Sequence, residues 1–516
     1  MHCATGVNLH APALMSLNTP LVPSDTPVPT ADPRNAGHPK GLYTLFFTEM
    51  WERFSYYGMR VLLVLFMTAA IDEGGLGFAV GKSVLIYGYY TMAVYMLSVF
   101  GGFVADKIIG ARQTVLVGGI IITTGHFTMA LSSIYTFYAG LALVAVGTGL
   151  LKPNISTMVG SLYSANDERR DAGFSIFYMG INIGALFGGI LTGFLAQHQW
   201  FKDWLTNRGF DPYHCWHWAF ALAGIGMTFG LITYVRNMRR LDHIGVAPDL
   251  TTPTRVRNLI LSFVGLAALG GLVWISSKFP VVVGMLGIVI TASVIYYAIT
   301  GGQEGRHVAA IFVLFAVSIV FFAVFEQAGS SINLFARDFT DTTLFGFTFP
   351  SSWFQSVNPI FVMILAPLFA WLWTRLGSRQ PSSPMKFFFG LVFVGLSFLL
   401  MIPAAKLATE GLVSPWWLLG LFFLQTLGEL CLSPVGLSTV TKLAPVKLVG
   451  VMMGGWFLAT SMGNFLSGYL ARTFGEGSSD GGLEVFFKEQ AIFVLIAAVI
   501  LLALVPGVKK LMGNIR

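Results

Sequence analysis

Long apolar runs alternate with short polar loops along most of the chain. The runs are close to 20 residues long, the length that an α-helix needs to cross the hydrocarbon core of a bilayer. Fourteen such segments are predicted, at 43–70, 84–105, 113–132, 134–160, 172–197, 217–236, 257–276, 280–299, 307–333, 352–376, 385–405, 414–441, 447–473 and 487–508. The pattern therefore predicts an all-α polytopic membrane protein, and an even number of crossings places both termini on one side.

Composition agrees with this interpretation. Of the 516 residues, 55% are hydrophobic and only 11% are charged, and the mean hydropathy is +0.72. A soluble domain carries about 25% charged residues. The formal net charge of +7 does not indicate a nucleic-acid partner, because the Lys and Arg residues are spread over short loops. Three scattered cysteines, Cys3, Cys215 and Cys431, are too few for a disulfide framework.

The distribution of basic residues predicts the orientation. Lys and Arg are more frequent in the loops on the side of the termini, as at Arg169, Arg170, Arg239 and Arg240, than in the opposite loops. The positive-inside rule then places both termini in the cytoplasm. Residues 1–40 are rich in Pro, Thr and Ala and lack a charged region followed by an apolar core, so a disordered tail is predicted and not a signal peptide.

Weak internal similarity divides the chain into two halves. In the same order and at nearly constant separation, "WER" (51–53) resembles "FEQ" (325–327), "LKPNIST" (151–157) resembles "LSPVGLST" (432–439), and "FYMGINIG" (177–184) resembles "WFLATSMG" (456–463). Two parallel six-helix repeats are typical of the major facilitator fold, in which substrate binds between the halves near the midplane. The predicted domains are a tail (1–40), an N-terminal bundle (41–240), a linker with two inserted helices (241–304) and a C-terminal bundle (305–516).

Charged residues inside the predicted helices indicate the site. The stretch "FTEMWERFSYYGMR" (47–60) carries Glu49, Glu52, Arg53 and Arg60 directly before an apolar run. A charge at mid-bilayer costs about 2.5–3.5 kcal/mol, so it is expected to face a water-filled cavity and a partner. Glu49 and Arg53 share a helix face at i,i+4. The alternative is an interfacial ion pair whose side chains reach back to the membrane surface.

Three further helices carry the remaining charges. Lys152 precedes Pro153 in the fourth segment, while Glu326 and Glu429 lie in the middle of the apolar runs "VFFAVFEQAGSSI" and "FLQTLGELCLSPVG". The N-terminal half thus carries the cations Arg53, Arg60 and Lys152 beside Glu49 and Glu52, and the C-terminal half carries the carboxylates Glu326 and Glu429. Such a division suits a zwitterionic substrate, although Lys152 could also reach the membrane surface from a helix end.

Several motifs resemble those of one transporter family. "EMWERFSYYG" (49–58) resembles the ExxERFxYYG signature of the proton-dependent oligopeptide transporters, the POT family of the major facilitator superfamily. "FSIFYMGINIGAL" (174–186) resembles the second signature, "GELCLSP" (428–434) the helix 10 element, and "GGFVADKIIGAR" (101–112) the superfamily loop between helices 2 and 3. Two helices inserted after the sixth are similar to those of bacterial members.

The resemblance implies proton-coupled symport of di- and tripeptides into the cell by alternating access, and no enzymatic activity. It implies a multi-pass protein of the bacterial inner membrane, surrounded by lipid, without a cofactor beyond the coupled proton and without a nucleic-acid partner. A monomer is expected.

The resemblance also implies residue roles. The proton-coupling residues are expected to be Glu49, Glu52, Arg53, Lys152 and Glu326, with Lys152 as the salt-bridge partner of the first helix and Arg60 facing Glu326 across the halves. The peptide-binding residues are expected to be Arg53, Tyr56, Tyr57, Arg60, Tyr95, Lys152, Tyr178, Asn182, Gln355, Asn358, Glu429, Ser433 and Trp456. Mammalian members have a functional histidine on helix 2, but the second segment here has none, so coupling is expected to use carboxylates.

Two other functions remain open at the level of sequence. A related transporter could carry nitrate or a drug-like molecule, although an anion would not need the amine acceptor Glu429. A membrane enzyme could use "HCWH" (214–217), whose His214 and His217 at i,i+3 could bind a metal, but no third ligand is evident nearby. His126, alone on the third segment, is interpreted as a packed or hydrogen-bonded core histidine.

Overall fold

The structure is a computed structural model that describes residues 37–513, except 165–166, 168, 279, 345, 446–447 and 475–481. The side chains of 266, 269–270 and 272–288 are also outside the description. The predicted tail up to residue 40 therefore falls almost entirely outside the described residues, and so does the side chain of Lys278.

Sixteen α-helices make up nearly all of the described chain. They are α1 (Lys40–Thr68), α2 (Val80–Val104), α3 (Gly110–Met129), α4 (Ile134–Ser161), α5 (Arg170–Gln197), α6 (Gln199–Thr206), α7 (Cys215–Asn237), α8 (Thr252–Lys278), α9 (Pro280–Thr300), α10 (Gly302–Phe325), α11 (Ser331–Asp338), α12 (Val357–Leu376), α13 (Ser383–Leu407), α14 (Trp416–Leu443), α15 (Val449–Leu470) and α16 (Gly482–Met512). A two-residue hairpin, β1 (Thr343–Leu344) and β2 (Phe347–Thr348), follows α11.

Thirteen of the fourteen predicted segments each overlap one long helix, and the ninth, 307–333, extends from α10 into α11. Within the described residues, ten stretches are long and apolar enough to cross a membrane, and one of them, Val80–Met129, includes both α2 and α3. The chain is therefore a multi-pass membrane protein, while the full count of fourteen crossings stays a prediction. The short helix α6 and the hairpin were not predicted, because the loops that contain them carry no long apolar run. Helix α11 begins inside the ninth predicted segment and was not predicted as a separate helix.

The two halves repeat the same helix packing. In the N-terminal half α1 packs on α5, α2 on α4, and α3 on both α4 and α7. In the C-terminal half α10 packs on α15, α12 on α14, and α13 on both α14 and α16. These pairs correspond one to one between two six-helix bundles. Between the bundles, α2 packs on α15 and α5 on α12, so the interface between the halves also follows the repeat.

The ninth predicted segment is interrupted where a continuous helix was expected. Helix α10 ends at Phe325, a 3₁₀ turn covers Glu326–Gly329, and α11 begins at Ser331. Glu326 therefore lies at a helix end, and its predicted position inside a regular helix was wrong. The sequence "EQAGSS" at this point supplies polar and small residues that tolerate such a break. The break directs the carboxylate of Glu326 towards the other half.

Hydrogen bonds join the two halves at one side of the molecule. This is the side where α1 ends, the far side; the opposite side, where α1 begins, is the terminal side. Asn333 Nδ2 donates to Val61 O at 2.8 Å, and Arg337 Nη1 donates to Thr68 Oγ1 at 2.7 Å. Trp353 Nε1 donates to Ile190 O at 2.9 Å. These bonds fasten the ends of α1 and α5 to the C-terminal half.

Close glycine contacts also hold the halves together. A Cβ atom at Gly88 on α2 would come within 2.9 Å of the Cα atom of Gly468 on α15 and 3.2 Å of Phe465 O. Small residues at this crossing let the two helices approach closely. Gly102, on the same helix α2, has open space where a Cβ atom would lie.

We expect Gly88→Ala to lower the free energy of unfolding by about 1–3 kcal/mol, because backbone atoms on α15 cannot move aside as a flexible side chain can. Gly102→Ala is the matched control, and its better helix propensity should leave stability unchanged or slightly higher. Thermal unfolding of the two variants in the same detergent measures the difference. Equal melting temperatures would contradict the tight packing of α2 on α15.

Candidate functional site

The charged cluster of α1 is fully enclosed by protein. Glu49, Glu52 and Arg53 are 2%, 0% and 3% exposed. Arg53 Nε lies 3.0 Å from Glu49 Oε1 and 2.5 Å from Glu52 Oε2. Because Glu49 is one turn before Arg53 and Glu52 directly precedes it, one guanidinium serves two carboxylates.

This cluster is held by charge attraction and is poorly satisfied in hydrogen bonds. Arg53 Nη2, Glu49 Oε2 and Glu52 Oε1 are buried without a hydrogen-bond partner among the described residues, and Arg53 Nε lacks hydrogen-bond geometry towards either carboxylate. Buried charges are costly unless they are both paired and hydrogen-bonded. The cluster can therefore gain stability by taking up a proton or a new charged partner.

Arg60 and Glu326 form an ion pair between the two halves. Arg60 Nη2 donates to Glu326 Oε2, and both side chains are almost completely buried. Arg60 Nε donates a second bond to the hydroxyl of Tyr87 on α2 at 2.6 Å. The expectation that Arg60 faces Glu326 agrees with this geometry. Tyr87 was not among the predicted site residues, and its role as an acceptor for Arg60 emerges only from the structure.

Tyrosines surround the cations of the N-terminal half. The Arg53 guanidinium lies 5.2 Å from the ring centroid of Tyr56, and Tyr57 lies between Arg53 and Arg60 at 6.0 and 5.7 Å. Contacts of this kind are attractive because the ring face is electron-rich. They stabilise the guanidinium groups without neutralising them, so each charge still needs its carboxylate partner or another anion.

Lys152 does not form the salt bridge that was expected. Its ammonium lies 3.8 Å from the ring centroid of Tyr95, and among the described residues no carboxylate oxygen is within ion-pair distance. It remains close enough to Glu49 and Glu52 to interact electrostatically. Within the described residues, Lys152 therefore contacts a tyrosine ring directly and does not contact a carboxylate.

On the C-terminal side, Glu429 and Asn358 meet. Asn358 Nδ2 lies 3.0 Å from Glu429 Oε2 and 3.0 Å from the hydroxyl of Thr426. Glu429 is half-buried on α14 and interacts electrostatically with Glu326 and with Tyr178 on α5. The carboxylates of this half and the tyrosines of the other half therefore border one region.

The remaining predicted binding residues are more dispersed. Asn182 donates from Nδ2 to Tyr178 O on its own helix at 2.9 Å. This hydrogen bond is to the backbone of α5 and not to Glu429. Gln355 Nε2 is buried without a hydrogen-bond partner among the described residues, and Ser433 is half-buried. Trp456 is 6% exposed and packs between the rings of Phe315 and Phe387, a position typical of a bundle core.

The histidines that suggested a metal enzyme lie apart from this site. The rings of His214 and His217 are 5.9 Å apart on the far side, where they border a cavity of about 430 Å³. Within the described part of the chain, no group of three His, Cys, Asp or Glu residues could hold a metal ion. His126 is completely buried, and neither ring nitrogen has a hydrogen-bond partner among the described residues, so it is packed and not hydrogen-bonded.

Comparisons with known proteins all indicate the same transporter family. The model of the POT family matches residues 112–488. An uncharacterized transporter, YclF of Bacillus subtilis (strain 168), is 40% identical over 495 residues, covering 93% of this chain and 96% of that protein. A di-/tripeptide transporter of Lactococcus lactis subsp. cremoris is 39% identical over 507 residues, covering 93% and 98%.

Solved structures show the same similarity in three dimensions. The crystal structure of a mutant of a peptide transporter POT in complex with alafosfalin superimposes with a TM-score of 0.81. It is 38% identical to this chain, and the match covers 93% of this chain and 97% of that one. The likeness therefore extends over both bundles and the charged site between them.

Proposed function

The chain belongs to the POT family, and from that premise we propose that it is a symporter that carries di- and tripeptides across a membrane together with protons. The family consists of transporters, so the enzyme hypothesis is set aside. Relatives of similar length are named di-/tripeptide transporters, which supports short peptides as the substrate of this chain.

The observation that carries the proposal is the division of charge between the halves. The N-terminal bundle carries Arg53, Arg60 and Lys152, and of these Arg53 already has Glu49 and Glu52 beside it. Glu326 and Glu429 lie on the C-terminal bundle. A peptide has a carboxylate at one end and an ammonium at the other. The two ends can therefore contact different bundles, so that binding draws the halves together.

Each peptide terminus has a matching group. The ammonium of Lys152 has no carboxylate partner within ion-pair distance among the described residues, so it can receive the peptide carboxylate without breaking an existing ion pair. Glu429 accepts a bond from Asn358 and has a second oxygen for the peptide ammonium. Nitrate or another simple anion would use only the first of these groups, so the arrangement favours peptides.

We infer proton coupling from the carboxylates of the site, which outnumber the cations that they pair with. In the α1 cluster two carboxylates compete for Arg53, and Glu326 is paired with Arg60. A proton that neutralises Glu326 releases Arg60, and the freed guanidinium can then help hold the peptide carboxylate. One charge moved through 100 mV supplies about 2.3 kcal/mol, which corresponds to about 50-fold accumulation. No cofactor is required for such a cycle.

The conformation fits one stage of alternating access. The halves are fastened on the far side by bonds such as Asn333–Val61 and Trp353–Ile190. With cytoplasmic termini, as the basic loops predict, and a bacterial inner membrane, as the resemblance to bacterial members implies, this corresponds to a transporter closed to the outside. Reformation of the Arg60–Glu326 pair after proton release would then favour return of the empty carrier. A monomer remains the expected state.

Uptake of a labelled dipeptide into liposomes, with and without an inward proton gradient, tests the function. Gradient-dependent accumulation that unlabelled tripeptide competes away is the expected result. Accumulation of nitrate instead, or peptide uptake that ignores the gradient, would contradict the proposal.

We expect Glu429→Gln to raise the KM for dipeptides with a free amino terminus by about tenfold, because a hydrogen bond to a charged group contributes about 1.5–3 kcal/mol. An N-acetylated dipeptide, which lacks the ammonium, should bind the variant and the parent equally. Glu489→Gln, an exposed carboxylate on α16, is the matched control. An equal loss for both kinds of peptide would remove Glu429 from recognition of the amine.

A further inference from the structure

A second cavity lies on the terminal side of the C-terminal bundle. It has a volume of about 250 Å³ and is enclosed by the end of α12, the start of α13 and the end of α14. None of the residues that line the cavity is acidic. The lining side chains include Trp373, Gln380, Ser383, Lys386, Thr439 and Lys442. None of the α14 residues assigned to the central site, Thr426, Glu429 and Ser433, lines this cavity, whose α14 lining begins at Pro434.

Lys386 is a buried cation without a counter-ion. The residue is 8% exposed, although it lies near the end of a helix where a lysine could extend into water. Its Nζ donates to Gln380 Oε1 at 2.9 Å and lies 4.3 Å from the ring centroid of Trp373. No carboxylate in the described part of the chain is within ion-pair distance of it. A buried ammonium in this setting is expected to have an anionic partner from outside the chain.

Other donors of the cavity fit an oxyanion. Lys442 supplies a second ammonium. The hydroxyl of Thr439 donates to that of Ser383 at 2.9 Å. Ser383 begins α13, and because Pro384 has no backbone N–H, the first turn offers only the N–H groups of Ser383 and Met385 without acceptors within the helix. Two ammonium groups, hydroxyls and a helix N-terminus together form the donor set that phosphate groups prefer.

Helix α12, which lines one side of the cavity with Trp373, also has an exposed apolar face. The outer face of α12 exposes Leu368 and Trp371 at 55% and 57%, and Arg375 stacks on Trp371 with its guanidinium 5.0 Å from the ring centroid. Aromatic and basic residues together at the end of an exposed membrane helix are typical of the headgroup level. Basic pockets between helices at this level bind anionic headgroups.

We propose that this cavity binds a phosphate group, presented by an anionic phospholipid headgroup or as a free phosphate ion. The phosphate oxygens would contact Lys386 and Lys442 and neutralise the buried ammonium. Because Pro434 lies inside α14 and removes one of its backbone hydrogen bonds, the bound group would fix the part of α14 beyond that proline against α12 and α13. Binding should therefore stabilise the C-terminal bundle without contacting the peptide site.

The test measures thermal unfolding of the purified full-length protein. One arm compares mixed micelles containing phosphatidylglycerol with micelles containing phosphatidylcholine; a second arm compares inorganic phosphate with chloride at equal ionic strength. We expect stabilisation by phosphatidylglycerol, and the concentration for half-maximal effect should rise about tenfold in Lys386→Gln and about fivefold in Lys442→Gln. Lys406→Gln, an exposed lysine at the opposite end of α13, should behave as the parent.

The two arms of the test identify the source of the phosphate group. Stabilisation in the lipid arm alone assigns a headgroup, and stabilisation in both arms assigns a site for soluble phosphate as well. Absence of stabilisation in both arms would overturn the proposal, and so would equal stabilisation of parent, Lys386→Gln and Lys442→Gln. If Lys386→Gln fails to fold, Lys442→Gln decides, because Lys442 is exposed and its replacement should leave the fold intact.

Discussion

Replacing Lys152 with alanine is expected to reduce gradient-driven uptake of dipeptides by at least about 30-fold. The ammonium lies over the ring of Tyr95, and within the described residues it forms no ion pair. It is therefore the cation that can take up a peptide carboxylate at the lowest cost. Removing one partner of a buried charge pair costs about 2–5 kcal/mol, and the lower limit of this range corresponds to about 30-fold.

Two measurements separate binding from coupling in this variant. Calorimetric titration with dipeptide gives the Kd, and counterflow of labelled dipeptide without a gradient reports exchange alone. Loss of dipeptide binding, counterflow and uptake together, in a variant whose thermal unfolding matches that of the parent, would place Lys152 at the peptide carboxylate. Lys82→Ala, an exposed lysine at the start of α2, is the matched control and should leave all three unchanged. Parental uptake by Lys152→Ala under a proton gradient would refute both roles assigned to Lys152.

The membrane architecture could be predicted from the sequence because the requirement is simple. A helix that crosses hydrocarbon needs about 20 apolar residues, and such runs are visible without any tertiary information. The break at Glu326 could not be predicted in this way. "VFFAVFEQAGSSI" reads as one apolar run, and its interruption depends on contacts that Gln327 and Asn333 form with distant helices.

Part of the site could be predicted from the sequence. Buried charges stand out in apolar helices because they are costly, so Glu49, Arg53, Lys152, Glu326 and Glu429 could be singled out. Tyr87 was missed as a site residue because a tyrosine in an apolar helix is compatible with ordinary packing. Its hydroxyl can be recognised as an acceptor only when Arg60 is placed beside it. The contact of Lys152 with Tyr95 in place of a carboxylate likewise depends on side-chain placement.

The second large effect is expected for Glu326→Gln, which should abolish accumulation driven by a proton gradient while counterflow of dipeptide continues. Glutamine is nearly isosteric with glutamate and can still accept a hydrogen bond from Arg60 through its amide oxygen. It cannot bind or release a proton, so the Arg60 guanidinium would stay free of a charged partner throughout the cycle. The variant should behave as a carrier held in the protonated state, and the accumulation of about 50-fold that 100 mV can support should fall to the equilibrium ratio of one.

The comparison of gradient-driven uptake with counterflow distinguishes this outcome from simple damage. A misfolded variant loses both activities, whereas an uncoupled carrier loses only the first. Glu410→Gln, an exposed carboxylate between α13 and α14, should retain both and serves as the control. If Glu326→Gln still accumulates dipeptide against its gradient, the coupled proton must reside on Glu49 or Glu52. Those carboxylates share Arg53 and have unpartnered oxygens, so they would be the next groups to replace.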